Sequence, residues 1–167
     1  MRMLILPAAA LAAFLSCTLS HAADAPAPAT HPAPDQAALE QRFEKTLTNA
    51  VFVGHFTTDG DDKGVKEDRY TISSVKKMKG DYWLFNTRIQ FGTKDVNVPL
   101  MLPVIWAGDT PVITVTDVGV PGIGTYTARV LVYSDHYAGT WSGGAHHGGT
   151  LAGVIEHPAA KPADTDK

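Results

Sequence analysis

The chain has 167 residues, of which 14 are basic and 17 acidic, for a net charge of -3. No basic cluster extends beyond Lys76-Lys77 and Lys79, so the electrostatic footprint of a nucleic-acid binder is absent and no nucleic-acid partner is expected. One cysteine, Cys17, rules out an internal disulfide and a multi-cysteine metal site.

Residues 1–22 have the pattern of an export signal. Arg2 supplies the positive start, Leu4–Leu19 an apolar run, and Ser20-His21-Ala22 a small-residue cleavage site. The run contains Pro7 and is short for a membrane span, which needs about 20 residues. Cleavage after Ala22 would give a secreted or periplasmic chain with no transmembrane span and no cysteine. A second reading is a lipoprotein, since Phe14-Leu15-Ser16-Cys17 loosely resembles a bacterial lipobox; Cys17 would then be the acylated N-terminus. Residues 23–34 are rich in Ala and Pro without apolar periodicity, which reads as a disordered linker with His31 solvated.

The folded domain is expected over residues 35–157. Leu39, Phe43 and Leu47 recur every four residues, Asp35 stands at an N-cap position and Pro34 bars a helix upstream, so a short amphipathic helix of about three turns opens the domain. From Val51 the apolar period becomes two. Val51–Thr58 reads as a first strand, closed by the turn-forming run Asp59–Gly64. That run is no EF-hand: counted from Asp59, the fifth position is Lys63 and the twelfth Tyr70, where calcium needs oxygen ligands and a bidentate Glu.

Asp68–Met78 is the second strand, and Lys79-Gly80-Asp81 turns it into Asp81–Phe91. There Trp83, Phe85, Ile89 and Phe91 share one parity, and Asn86, Arg88 and Gln90 the other. Val96, Val98, Leu100, Leu102, Val104 and Trp106 share a parity over a long run, with Pro99 and Pro103 on the opposite one. Proline donates nothing to a ladder, so this segment is an edge, a bulged strand, or two strands with a bend. Val112–Val118, Thr125–Tyr133, Tyr137–Ser142 and Thr150–Glu156 follow as strands. Gly119–Gly124 between two of them lacks GxGxxG spacing and precedes a strand, which makes it a turn and not a phosphate cradle. Residues 158–167 read as a disordered tail.

Short strands at regular spacing without helical crossovers imply a mainly β fold. The expected architecture is an antiparallel up-and-down β-barrel of about eight strands, lipocalin-like, with one short N-terminal helix; a β-sandwich is the alternative. Gly54-His55-Phe56 and Tyr137-Ala138-Gly139-Thr140-Trp141 resemble the Gly-x-aromatic strands of lipocalin-like and avidin-like barrels. Trp83-Leu84-Phe85-Asn86, Leu100–Val104, Trp106–Pro111 and Tyr137–Trp141 resemble an uncharacterised family of exported bacterial β proteins. That second resemblance covers Tyr70–Glu156 and implies a fold, with no catalytic residue attached.

Chemistry is sparse. His146-His147 is the nearest thing to a metal motif, although neighbours on a strand face opposite ways and a loop must bend them together. There is no GxSxG, no cofactor motif and no assignable catalytic residue. The carboxylates, Asp68 among them, fall mostly in turns and tails; Asp117 reads as a strand-end side chain pairing with nearby amides. Trp83, Trp106 and Trp141 are candidate ligand platforms or core plugs. Arg88 and Arg129 lie mid-strand and would anchor an anionic group only if turned inward and paired. The functional expectation is a non-enzymatic exported module that binds a small apolar or amphipathic ligand, or a partner. Its alternatives are a structural or envelope-interaction protein with a filled barrel, and a metal-assisted hydrolase using His146 and His147.

Overall fold

Asp35 starts the fold by accepting a hydrogen bond from the Ala37 amide at 3.1 Å, which caps helix α1, Gln36–Leu47. A cap of this kind is worth about 0.5–2 kcal/mol. The computed structural model describes residues 35–62, 64–144 and 147–158; the signal, lipobox, linker and most of the tail read from the sequence lie outside the described residues. Among the described residues no helix is long and apolar enough to cross a membrane. Leu39, Phe43 and Leu47 are buried along one side of α1, and Asn49, at φ 61°, turns the chain out of the helix into the sheet.

Eight strands follow: β1 Ala50–Phe56, β2 Lys66–Lys77, β3 Tyr82–Phe91, β4 Lys94–Ala107, β5 Thr110–Val120, β6 Gly124–Tyr133, β7 His136–Gly143 and β8 His147–Glu156. Each pairs antiparallel with the next, and β8 pairs back to β1 from Val51↔Glu156 to Phe56↔Leu151, closing a barrel. Closure excludes the sandwich. The helix and barrel agree with the periodicity because short turns suit only neighbouring antiparallel strands.

Side chains alternate in and out. Phe52, Ile72, Phe85, Leu102, Ile113 and Tyr137 point into a common core. Two bulges reset this alternation, one in β2 between Ile72 and Ser74 and one in β5 between Val115 and Val118. The second holds Asp117 at φ 50°. Asp117 is thus exposed in the middle of a strand rather than at its end, held by Thr127, whose hydroxyl donates to Oδ1 at 3.1 Å and accepts from the Asp117 amide at 3.0 Å.

The barrel has two unlike ends. At one, Phe43 of α1 meets Trp83, Phe85 and Trp106 edge-on, with ring centroids 5.0, 6.2 and 5.9 Å away. The helix therefore plugs that end, at about 1.5–3 kcal/mol for each large apolar side chain it buries. At the other end four rings form a chain across the mouth: Phe91 to Phe56 at 6.0 Å, Phe56 to Trp141 at 5.8 Å, and Trp141 to Tyr126 at 6.3 Å.

Candidate functional site

Between the helix plug and the aromatic mouth lies a cavity of about 190 Å³. Its wall is apolar: Phe52, Ile72, Phe85, Leu102, Val130 and Leu151 are among the side chains facing it, with Tyr70, Tyr137 and Trp141. An eight-stranded barrel is just wide enough for its side chains to fill it. Ala128 leaves room here, its short side chain lining the space. Gly139 stands on the inward parity between Tyr137 and Trp141, where a Cβ would run into the backbone of β6 at Arg129 and Val130, so it serves close strand approach.

One polar cluster is built into this wall. Asp68 is 3% exposed and, among the described residues, is the only charged side chain in the core. The Tyr137 hydroxyl donates to its Oδ1 at 2.8 Å and the Tyr70 hydroxyl to its Oδ2 at 3.2 Å. Tyr137 belongs to β7 and reaches β2 by lying across β8 and β1. Added Cβ atoms at Gly54 and Gly153 would strike its ring and hydroxyl, so both positions require glycine. The ring also stacks on Phe52, centroids 4.7 Å apart.

Burial pushes the Asp68 carboxyl above its ordinary range, and the two phenol hydrogen bonds oppose that rise without cancelling it. Both phenols are held well above their usual range, first by burial and then by the carboxylate beside them. Both phenols keep their protons and together engage both carboxyl oxygens, which suits a fixed structural element better than a proton-transfer site.

Of the five residues singled out as ligand contacts, Trp141 alone lines the cavity; its Nε1 donates to the Thr57 carbonyl at 3.0 Å. Trp83 is fully buried against Phe43, with the Lys77 ammonium 5.1 Å from its ring centroid and its Nε1 without a hydrogen-bond partner among the described residues. Trp106 lines a separate cleft of about 370 Å³ beside α1, together with Arg42, Tyr133 and Asp135. Arg88 points outward into a two-pronged pair with Asp95, at 2.7 and 2.6 Å, which holds the Asp95 carboxyl below its ordinary range. Arg129 also points outward, donating to the carbonyls of Val115 and Ala128 and to the Thr116 hydroxyl.

His147 is exposed at the start of β8, opposite Gly143, and His146 lies outside the described residues. No group of three or more His, Cys, Asp or Glu side chains among the described residues is placed to share an ion.

Asp68 and its tyrosines are the part of the site that sequence reasoning missed. The signal was present: Asp68, Tyr70 and Ile72 share a parity, so an acid stands on the apolar face of its strand. Comparisons with family models, with curated proteins and with solved structures find no match, so geometry alone carries the functional reading.

Proposed function

We propose that the protein is an exported, non-enzymatic barrel that holds a small apolar ligand in its interior. The observation that carries this reading is the apolar cavity of about 190 Å³ inside the barrel. Apolar cavities of about 150 Å³ stay dry and take up benzene or xenon, whereas sites for drug-sized ligands run from about 300 Å³ upward. The volume suits a single ring or a short branched chain. A filled interior would have favoured the structural alternative; this void supports the carrier. The faces support a water-borne barrel as well. The buried apolar side chains point inward, and the outer face is mixed: Glu67, Arg69, Lys76 and Arg88 are exposed there beside Met101, Ile105, Leu131 and Tyr133, whereas a barrel that spans a bilayer carries a continuous apolar band.

Toluene is a suitable probe. Seven buried carbons at about 0.8 kcal/mol each give roughly 5–6 kcal/mol, a Kd near about 0.1 mM. Titration followed by amide and methyl NMR should show saturable shifts centred on Phe52, Ala128 and Trp141. Ala128→Leu, which fills the space, should weaken binding at least about tenfold while Tm holds or rises. Shifts confined to the cleft beside α1, or an Ala128→Leu variant that binds as before, would remove the interior site.

Export is the second half of the proposal and rests on residues 1–22. The mass of the exported protein should correspond to a chain beginning at Ala23. A chain beginning at an acylated Cys17 would replace the free module with a membrane-anchored one.

A further inference from the structure

The wall of the barrel is uneven. β4 runs from Lys94 and β5 runs to Val120, yet the two pair only where Val104–Ala107 faces Thr110–Ile113. Beyond Val104 and Ile113 the strands part, and the long flank of each strand lacks a partner on that side.

Two prolines explain the β4 edge. The Val104 amide donates to the Asp81 carbonyl at 2.8 Å, on the β3 side. Amides alternate sides along a strand, so the nitrogens of Pro103 and Pro99 face β5, where they have no hydrogen to offer. Pairing to β3 is untouched, with Pro103 opposite Tyr82 and Pro99 opposite Asn86. On β5 the bulge between Val115 and Val118, a register shift against β6, bends the strand and disturbs its regular edge. Arg129 braces that bulge by donating to the Val115 carbonyl at 2.5 Å and to the Thr116 hydroxyl at 3.1 Å. Prolines and bulges are also the devices by which sheet edges refuse strands from other chains. The gap is therefore built neither to zip shut nor to accept a partner strand.

Solvent reaches inward along it. Val96, Val98 and Leu100 of β4 and Val115 and Val118 of β5 share the inward parity or sit at the bulge, yet all are only half-buried, while Phe52, Ile72 and Tyr137 across the barrel are buried. Leu100, Leu102 and Val115 border the gap and also line the cavity. The alternative route, the end away from α1, is crossed by the Phe91–Phe56–Trp141–Tyr126 chain of rings.

We propose that the gap between β4 and β5 is the lateral entrance through which a small apolar ligand reaches the interior cavity, and that Pro99 and Pro103 keep it from closing. This inference rests on the cavity being a ligand site. Restoring the two missing amides lets the strands pair further and narrows the passage without touching the cavity wall, since neither proline lines it. An entrance sets how fast ligand comes and goes; the cavity wall sets how tightly it is held.

Fluorobenzene, followed by ¹⁹F exchange NMR on the whole protein, separates these quantities. In Pro99→Val/Pro103→Val, association and dissociation should both slow by at least about tenfold while Kd stays within about twofold, as a change confined to the barrier requires. Phe56→Leu, which thins the mouth, should leave exchange unchanged. Unaltered exchange in the proline variant, or accelerated exchange in Phe56→Leu, would place the entrance elsewhere and leave the cavity reading intact. Absence of saturable fluorobenzene binding to the wild-type protein would overturn the entrance and the cavity reading together.

Discussion

Tyr137 ties together four strands, β7, β8, β1 and β2, through a single side chain, and the arrangement has a pH signature. Its hydroxyl and that of Tyr70 hold a carboxyl that burial makes costly to ionise. The folded value lies above the ordinary 3.8, so the folded state favours the proton. The stability contributed by neutral Asp68 is complete below the ordinary value and is lost as pH rises through the elevated folded one. Asp68→Asn keeps an acceptor for one phenol and carries no charge at any pH. Its Tm relative to wild type should therefore improve steadily as the pH is raised from about 3 upward through that window. Parallel Tm profiles for the two proteins would show that the carboxyl titrates normally in the fold. Asp68→Ala is the harsher change, since it leaves two buried hydroxyls unsatisfied at about 1–3 kcal/mol each.

At the scale of elements, α1 and β4 show what one strand's periodicity can and cannot convey. Leu39, Phe43 and Leu47 announce a helix with one apolar stripe, and the structure seats that stripe on the barrel end. Phe43 touches three rings there, so Phe43→Ala should cost about 3–5 kcal/mol. Trp83→Ala should cost a comparable amount, because that ring is fully buried. Trp141→Ala should cost less, since Trp141 is half-buried and borders a void. Equal losses in Tm for Trp83→Ala and Trp141→Ala would contradict the division into plug and cavity wall.

Parity made the inward rows legible; it does not name the strand alongside. That is why Pro99 and Pro103 marked an irregular edge in the sequence without revealing which neighbour was missing. Arg88 and Arg129 were open to either face for a related reason: their strands mix polar and apolar residues, and only the positions of Asp95 and Val115 show that both guanidinium groups turn outward. Asp68 escaped because its partners come from the same strand and from a strand 69 residues later in the chain, a pairing that local patterning does not encode.

Taken whole, the domain formed by the described residues is a barrel plugged by a helix at one end, roofed by aromatic rings at the other and parted along one side. Size explains the interior. Eight strands enclose little more than their own side chains, so a short side chain such as that of Ala128 in the wall decides whether space remains. The central claim is that this space takes up an apolar guest, and a crystal held under xenon pressure tests it most directly. Xenon should occupy a site inside the barrel within van der Waals distance of Phe52, Ala128 and Trp141, and Ala128→Leu should abolish it. An interior without xenon in the wild-type crystal, or xenon found only in the cleft between α1 and Trp106, would contradict the account.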